Sequence, residues 1–158
     1  MTLTRAETIR VDATPAQVWA LVTDIGRTGE WSPVCTSCAW DAEDAATDGP
    51  RVGDRFTGRN EHEGRVWETR SRVVAAEPGR TFAWEVGDGW VRWGYELAPA
   101  DDGSGTDLTE RWEFTPAGLE MFEKRYGADA EAQVRDRAAQ AHAGIPATLA
   151  ALKALLEG

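Results

Sequence analysis

Glu110 and His142 are the two side chains of this 158-residue chain best placed to move a proton. Glu110 stands between Leu108 and Trp112 in an alternating run, on the parity of the large apolar residues. A carboxyl group on that face loses its hydration, so the ionised form is disfavoured and the pKa rises. Such a group can hold a ligand hydroxyl or amine, or act as a general acid or base. A β-bulge turning it to solvent, or a pairing with a nearby arginine, accounts for the same residue without chemistry. His142 falls on the apolar stripe of the last helical segment, from where it can face Glu110 across an interior space. A buried histidine held by one local hydrogen bond fits that position equally well. Asn60 shares the inward parity and can either donate to a ligand carbonyl or satisfy a strand end.

Other motifs point away from metal and redox chemistry. Cys35-Thr36-Ser37-Cys38 is a CxxC, but zinc needs two further ligands and the histidines are only His62 and His142. The motif leads into a strand, where positions three apart point to opposite faces, rather than into a helix that would lower a thiol pKa. Two ordinary thiols in a reducing compartment are therefore expected. Glu61-His62-Glu63 does not converge on a point either, so no metal is expected. Serine-hydrolase, phosphate-loop and dinucleotide signatures are absent, and no cofactor is expected.

The elements that must position Glu110 are strands. Between Val52 and Phe114 large residues alternate, which marks a sheet with one covered face. Phe56, Trp67, Phe82, Trp84, Trp93, Tyr95 and Trp112 share the covered parity, and Arg70, Arg72, Arg92, Glu96, Arg111 and Glu113 the opposite one. After them Val134, Ala138, His142, Ile145, Leu149, Leu152 and Leu156 recur at spacings of three and four, giving one long helix an apolar stripe. Gly144 and Pro146 favour a kink in it. A bent aromatic sheet covered by one helix is expected to leave a pocket, with the seven rings, Asn60 and Ile145 as its ligand-binding wall. Interdigitation of the rings into a solid core is the alternative.

The remaining punctuation sets the order. Residues 4–11 read as a first strand. Thr14-Pro15 starts a short helix with Val18, Trp19 and Val22 on its buried face, and 27–31 a second short turn. Residues 34–40 read as a strand and 41–50 as an exposed loop. Turns follow at Glu77-Pro78-Gly79, at Gly87-Asp88-Gly89 and over 101–105. Thr115-Pro116 starts a helix that stops at Tyr126-Gly127, and Asp129 is expected to cap the last helix, which runs to about Glu157. The connections are too short for crossover helices, so the sheet is antiparallel. The class is α+β: a curved seven-stranded antiparallel sheet around a long C-terminal helix, with two short helices after the first strand.

Composition narrows the partners. A length of 158 residues suits one domain spanning 1–158. The net charge of −10 disfavours nucleic acid and anionic membrane surfaces. Arg5, Glu7 and Arg10 interrupt the N-terminus, which excludes a secretory signal there, and no run approaches the ~18 apolar residues of a membrane span. A cytoplasmic protein is expected, without membrane insertion. An outer sheet edge allows a homodimer, which nothing in the sequence demands.

Several segments resemble the START-like, or SRPBCC, superfamily with its helix-grip fold. More narrowly they resemble the bacterial polyketide cyclase/dehydrase and lipid transport-like family. The resemblance rests on Thr14-Pro15-Ala16-Gln17-Val18-Trp19, Glu30-Trp31-Ser32-Pro33, the segments 52–60 and 73–79, and Thr148-Leu149-Ala150-Ala151-Leu152-Lys153. It covers nearly the whole chain in order. The fold is what it specifies most firmly; lipid carriers, receptors and aromatase/cyclases share it. The expected function is binding or transport of a hydrophobic small molecule, lipid-like or polycyclic, by a protein that is not an enzyme. The alternative is an aromatase/cyclase in which Glu110 and His142 transfer protons.

Overall fold

The structure, a computed structural model, describes residues 2–42 and 48–158. Seven strands form one antiparallel sheet: β1 (Thr4–Val11), β2 (Cys35–Trp40), β3 (Arg55–His62), β4 (Arg65–Glu77), β5 (Thr81–Val86), β6 (Val91–Pro99) and β7 (Thr106–Phe114). Their order across the sheet is β1-β7-β6-β5-β4-β3-β2, so every neighbour except the β1–β7 pair follows in sequence. Helix α1 (Pro15–Val22) and a 3-10 turn at Ile25–Glu30 link β1 to β2. Helix α2 (Pro116–Tyr126) and the long α3 (Ala130–Glu157) follow the sheet. The expected fold class is the observed one. Of the loop expected over 41–50, residues 43–47 lie outside the described residues.

Local chemistry explains the helix starts. Thr14 accepts from the Gln17 amide at 3.2 Å while the Gln17 side chain accepts from the Thr14 amide at 2.9 Å, a reciprocal capping box. Thr115 caps α2 by accepting from the Gly118 amide at 3.0 Å. The expected cap at Asp129 is not formed. A 3-10 turn at Gly127–Asp129 runs directly into α3, so Asp129 already has helical dihedrals and its carboxylate caps nothing. Helix α3 is continuous through Pro146.

Two bulges alter the simple alternation. One lies in β4 between Val73 and Ala75. It changes the inward parity, so that Val73 and then Ala76 meet the core. The other lies in β2 between Cys35 and Ser37.

The helix stripe packs mainly over β1 and β7. Val11, Val18, Val22, Leu108, Ile145 and Leu152 are fully buried there, and Thr106 donates to the Ala13 carbonyl at 2.7 Å. The end of α3 is tied back to the β1 end, where Lys153 donates to the Arg10 carbonyl and Glu157 accepts from the Asp12 amide, each at 2.8 Å. Helix α2 lies against the β5–β6 turn so closely that a Cβ at Gly118 would run into the Trp90 carbonyl oxygen.

That contact yields a paired prediction. Gly118→Ala should destabilise the protein by ~2 kcal/mol or more, because backbone must move to admit the methyl. Gly144→Ala, where the new Cβ meets only Pro33 Cγ at 3.5 Å, should instead gain up to ~1 kcal/mol of helix propensity. Urea unfolding of both variants measures the contrast.

Candidate functional site

The concave face of the sheet, α2 and α3 enclose a cavity of about 770 Å³. Phe56, Asn60, Trp67, Phe82, Trp84, Trp93, Tyr95, Glu110 and Trp112 all lie in its wall. The rings brace one another rather than filling the space. Phe56 and Trp84 meet at 5.9 Å between centroids, Phe82 and Trp84 at 5.3 Å, and Trp84 and Tyr95 at 5.8 Å. Separations of this size suit edge-to-face and tilted ring contacts.

Strand β7 runs in regular register between β1 and β6, so no bulge turns Glu110 outward. Its residue exposure is 4%, and Oε1 is buried without a hydrogen-bond partner among the described residues. No arginine neutralises it: Arg5, on β1, pairs instead with Glu7 at 2.8 Å. Glu7 is the β1 residue directly opposite Glu110. Burial pushes the Glu110 carboxyl from its usual 4.5 up to about 8; the Tyr95 hydroxyl opposes this and the Glu7 charge adds to it. Tyr95 sits opposite Glu110 on β6. Burial above all, then the charge of Glu110 and a hydrogen bond to it, holds that phenol well above its ordinary range, while a hydrogen bond from Trp31 pulls it back. At neutral pH the pair is therefore an uncharged carboxylic acid beside an uncharged phenol, able to donate to a ligand oxygen.

His142 and Ile145, expected in the wall, are not part of it. Ile145 is fully buried in the packed side of the core. The His142 ring stands edge-on to Trp112, 5.8 Å between centroids, with Nε2 buried and unpartnered among the described residues. The reason is helical phase. The apolar stripe of α3 faces β1 and β7, and the line turned toward the cavity is Arg137, Gln140, Ala141, Gly144 and Thr148. A Glu110–His142 relay across the cavity is thus not assembled. Asn60 directs its amide to the Thr69 hydroxyl at 3.1 Å and the Trp67 carbonyl at 3.4 Å, so its donors serve the sheet.

The cysteines also depart from expectation. The β2 bulge removes the alternation between them, and Cys35 and Cys38 both line the cavity instead of facing opposite ways. They are free thiols. A hydrogen bond from Cys38 lowers the Cys35 pKa and raises that of Cys38. Among the described residues no group of three or more His, Cys, Asp or Glu could hold a metal ion. Trp31 and the cavity-facing arginines Arg65, Arg125 and Arg137 were not singled out by sequence. The hint for Trp31 was its place beside a helix break. For Arg65 and Arg137 none exists in the periodicity.

Glu110 makes stability depend on pH in a defined sense. Its folded-state pKa lies above the unfolded value, so the native state binds the extra proton and stability falls as pH rises between about 4.5 and 8. The loss should be on the order of a few kcal/mol. Glu110→Gln should flatten that part of the profile and be the more stable protein at pH 9, as read by urea unfolding of both chains across this window. Parallel profiles would show that Glu110 titrates normally.

The family described as polyketide cyclase / dehydrase and lipid transport matches residues 3–157. No curated protein matches the chain. Among solved structures, the Polyketide_cyc-like protein Cgl2372 from Corynebacterium glutamicum is 47% identical; the match covers 99% of this chain and 93% of that one, with a TM-score of 0.72. The di-domain ARO/CYC StfQ from the steffimycin biosynthetic pathway shares the fold at 15% identity and a TM-score of 0.69, over 98% of this chain and 50% of that one. Protein NE0264 from Nitrosomonas europaea does so at 18% and 0.66, over 98% and 94%. No helix among the described residues is long and apolar enough to cross a membrane.

Proposed function

The chain belongs to the polyketide cyclase / dehydrase and lipid transport family, and from that premise we propose that it binds a hydrophobic small molecule inside the sheet. The observation that carries this reading is the aromatic cavity of about 770 Å³, within the 300–1,000 Å³ range typical of small-molecule sites. Rigid rings already braced against each other lose little freedom when a flat or chain-like ligand displaces water from them. Glu110 and Tyr95 give the apolar interior one polar fixture, suited to a ligand carbonyl or hydroxyl.

A second reading is favoured by one specific observation, the neutral Glu110 acid beside Tyr95. In a polyketone such an acid could protonate a carbonyl oxygen as an enol carbon bonds to the carbonyl carbon, with Tyr95 holding the same oxygen and the resulting carboxylate regaining its proton from the enol hydroxyl. His142, outside the cavity wall, has no part in that scheme. The general name of StfQ, an ARO/CYC, is compatible with this chemistry but at 15% identity contributes only the fold.

Two substitutions separate binding from catalysis and from no site at all. Thr148→Phe, on the α3 wall, should weaken an apolar probe followed by tryptophan quenching by about tenfold or more, or ~1.4 kcal/mol, with the fold verified by circular dichroism. Unchanged affinity would place the probe elsewhere. Glu110→Gln should leave the same probe within about threefold; if the chain is a cyclase, turnover of a poly-β-carbonyl substrate is lost in this variant while binding persists.

A further inference from the structure

The cavity is chemically lopsided. Far from the Glu110–Tyr95 pair in character, one side of it carries guanidinium groups. Only the second half of β4 is paired with β5, the first such pair being Ser71 with Val86; the Arg70 carbonyl still accepts from the Gly87 amide at 2.8 Å, and residues 65–69 pair with β3 alone. Facing that free edge are the turn after β5 and helix α2, and the cavity opens between them, where Val66 and Arg125 are both lining and solvent-exposed.

Two arginines meet on one indole at this opening. The Arg65 guanidinium carbon lies 4.2 Å from the Trp67 ring centroid, and that of Arg137 lies 5.7 Å from the same centroid and 5.7 Å from Phe122. Arg65 Nη2 is buried and has no hydrogen-bond partner among the described residues. The Arg137 side chain is 18% exposed; Asp136, itself half exposed, contacts it at 3.0 Å from the solvent side. Burial first, and then the charge of Arg65, pulls the Arg137 guanidinium below its usual pKa. Apart from Asp136, the nearby carboxylates are engaged elsewhere: Glu61 with Arg59 at 2.8 Å and Glu68 near Arg70 at 3.9 Å. Bringing two partly dehydrated like charges together is unfavourable unless an anion sits with them. In a chain of net charge −10, carboxylates are plentiful, yet Asp136 offsets only Arg137, and the buried Arg65 Nη2 has no acceptor among the described residues.

We propose that Arg65 and Arg137, stacked on Trp67, form a subsite for the anionic head of an amphipathic ligand, a carboxylate or phosphate, whose apolar body fills the aromatic cavity. The planar forks match either oxyanion with paired N–H donors. This deepens the proposed function and rests on it. The ligand then lies with its charge at the opening and its far end toward Glu110 and Tyr95, where a second charge would be excluded and a carbonyl or hydroxyl accepted.

Dodecanoate and dodecyl phosphate below their micelle-forming concentrations, and dodecanol below its solubility limit, each titrated into the intact chain, test this without any variant. The two anions should bind at least tenfold tighter than the alcohol, and the larger gain of the two identifies the preferred oxyanion. The double variant Arg65→Gln/Arg137→Gln should bring the anions down to the affinity of the alcohol and leave the alcohol within about threefold. Arg65→Lys/Arg137→Lys should retain part of the preference. Alcohol binding as tight as the anions would overturn the subsite while leaving the hydrophobic-binding reading intact. A preference that survives the double glutamine variant would overturn the assignment to these arginines. Failure of all three probes to bind would overturn the hydrophobic-binding reading itself, and the subsite with it.

Discussion

A sheet of seven strands bent around one long helix encloses more volume than that helix can occupy, and the division of this volume governs the rest. Protein interiors normally pack like organic crystals, and a gap of several hundred Å³ forfeits contacts along its whole lining. The chain answers by being solid on one side and hollow on the other. Where α3 meets β1, β7 and α1, aliphatic residues such as Val11, Val18, Leu108, Ile145 and Leu152 are buried completely. Toward β3, β4 and β5 the lining is aromatic, and each ring leans on the next. Trp40 meets Phe56 at 5.4 Å between centroids, and the chain of contacts continues through Trp84 to Tyr95. Rings can keep their positions with one face unsupported; aliphatic side chains would collapse inward.

The fold was legible because alternation and capping are local. Phe82 and Trp84, or Leu108 through Phe114, need only a period of two to be placed on one face, and Thr14 with Gln17 announces a helix start unaided. What stayed hidden depended on a single inserted residue or on a rotation. The β2 bulge between Cys35 and Ser37 cancels the alternation that would part the two thiols. On α3 the apolar stripe marks the solid side, so His142 and Ile145 went with it. The cavity line, running through Ala141, Gly144 and Thr148, looks like an ordinary helix flank. Small and weakly polar residues are what a helix shows to an empty space. Arg65 and Arg137 were invisible for a related reason: at a strand start and on a helix flank an arginine reads as solvent-facing, and only tertiary structure puts both over Trp67.

The two polar regions of the cavity deal with dehydration differently. Glu110 becomes neutral, because no cation among the described residues pairs with it and a proton is the least costly partner. Arg65 and Arg137 cannot shed their charge in the same way, since a guanidinium stays protonated at any physiological pH; they rest on an aromatic face and keep one edge near water. The deep end therefore selects by hydrogen bonding and shape, and the open end by charge. The polar direction along the cavity is fixed by backbone register. Tyr95, Glu110 and Glu7 are consecutive cross-strand neighbours on β6, β7 and β1, whereas Trp67 lies on the half of β4 that pairs with β3 but not with β5.

Helix α2 is joined to the turn that follows β5 by more than packing. The Thr115 hydroxyl donates toward the Gly89 and Trp90 carbonyls at 2.6 and 3.0 Å, its amide donates to Trp90 at 3.1 Å, and Gly118 leaves no room between helix and turn. Turn and helix are in effect one mechanical part, which meets the aromatic wall where Phe122 rests on Phe114 at 5.0 Å between centroids. Lengthening or shortening that turn would carry α2 with it and reset the width of the opening. The width of the opening is in this way set by the length of one turn, while the polar groups along the cavity are set by residues on the sheet and on α3.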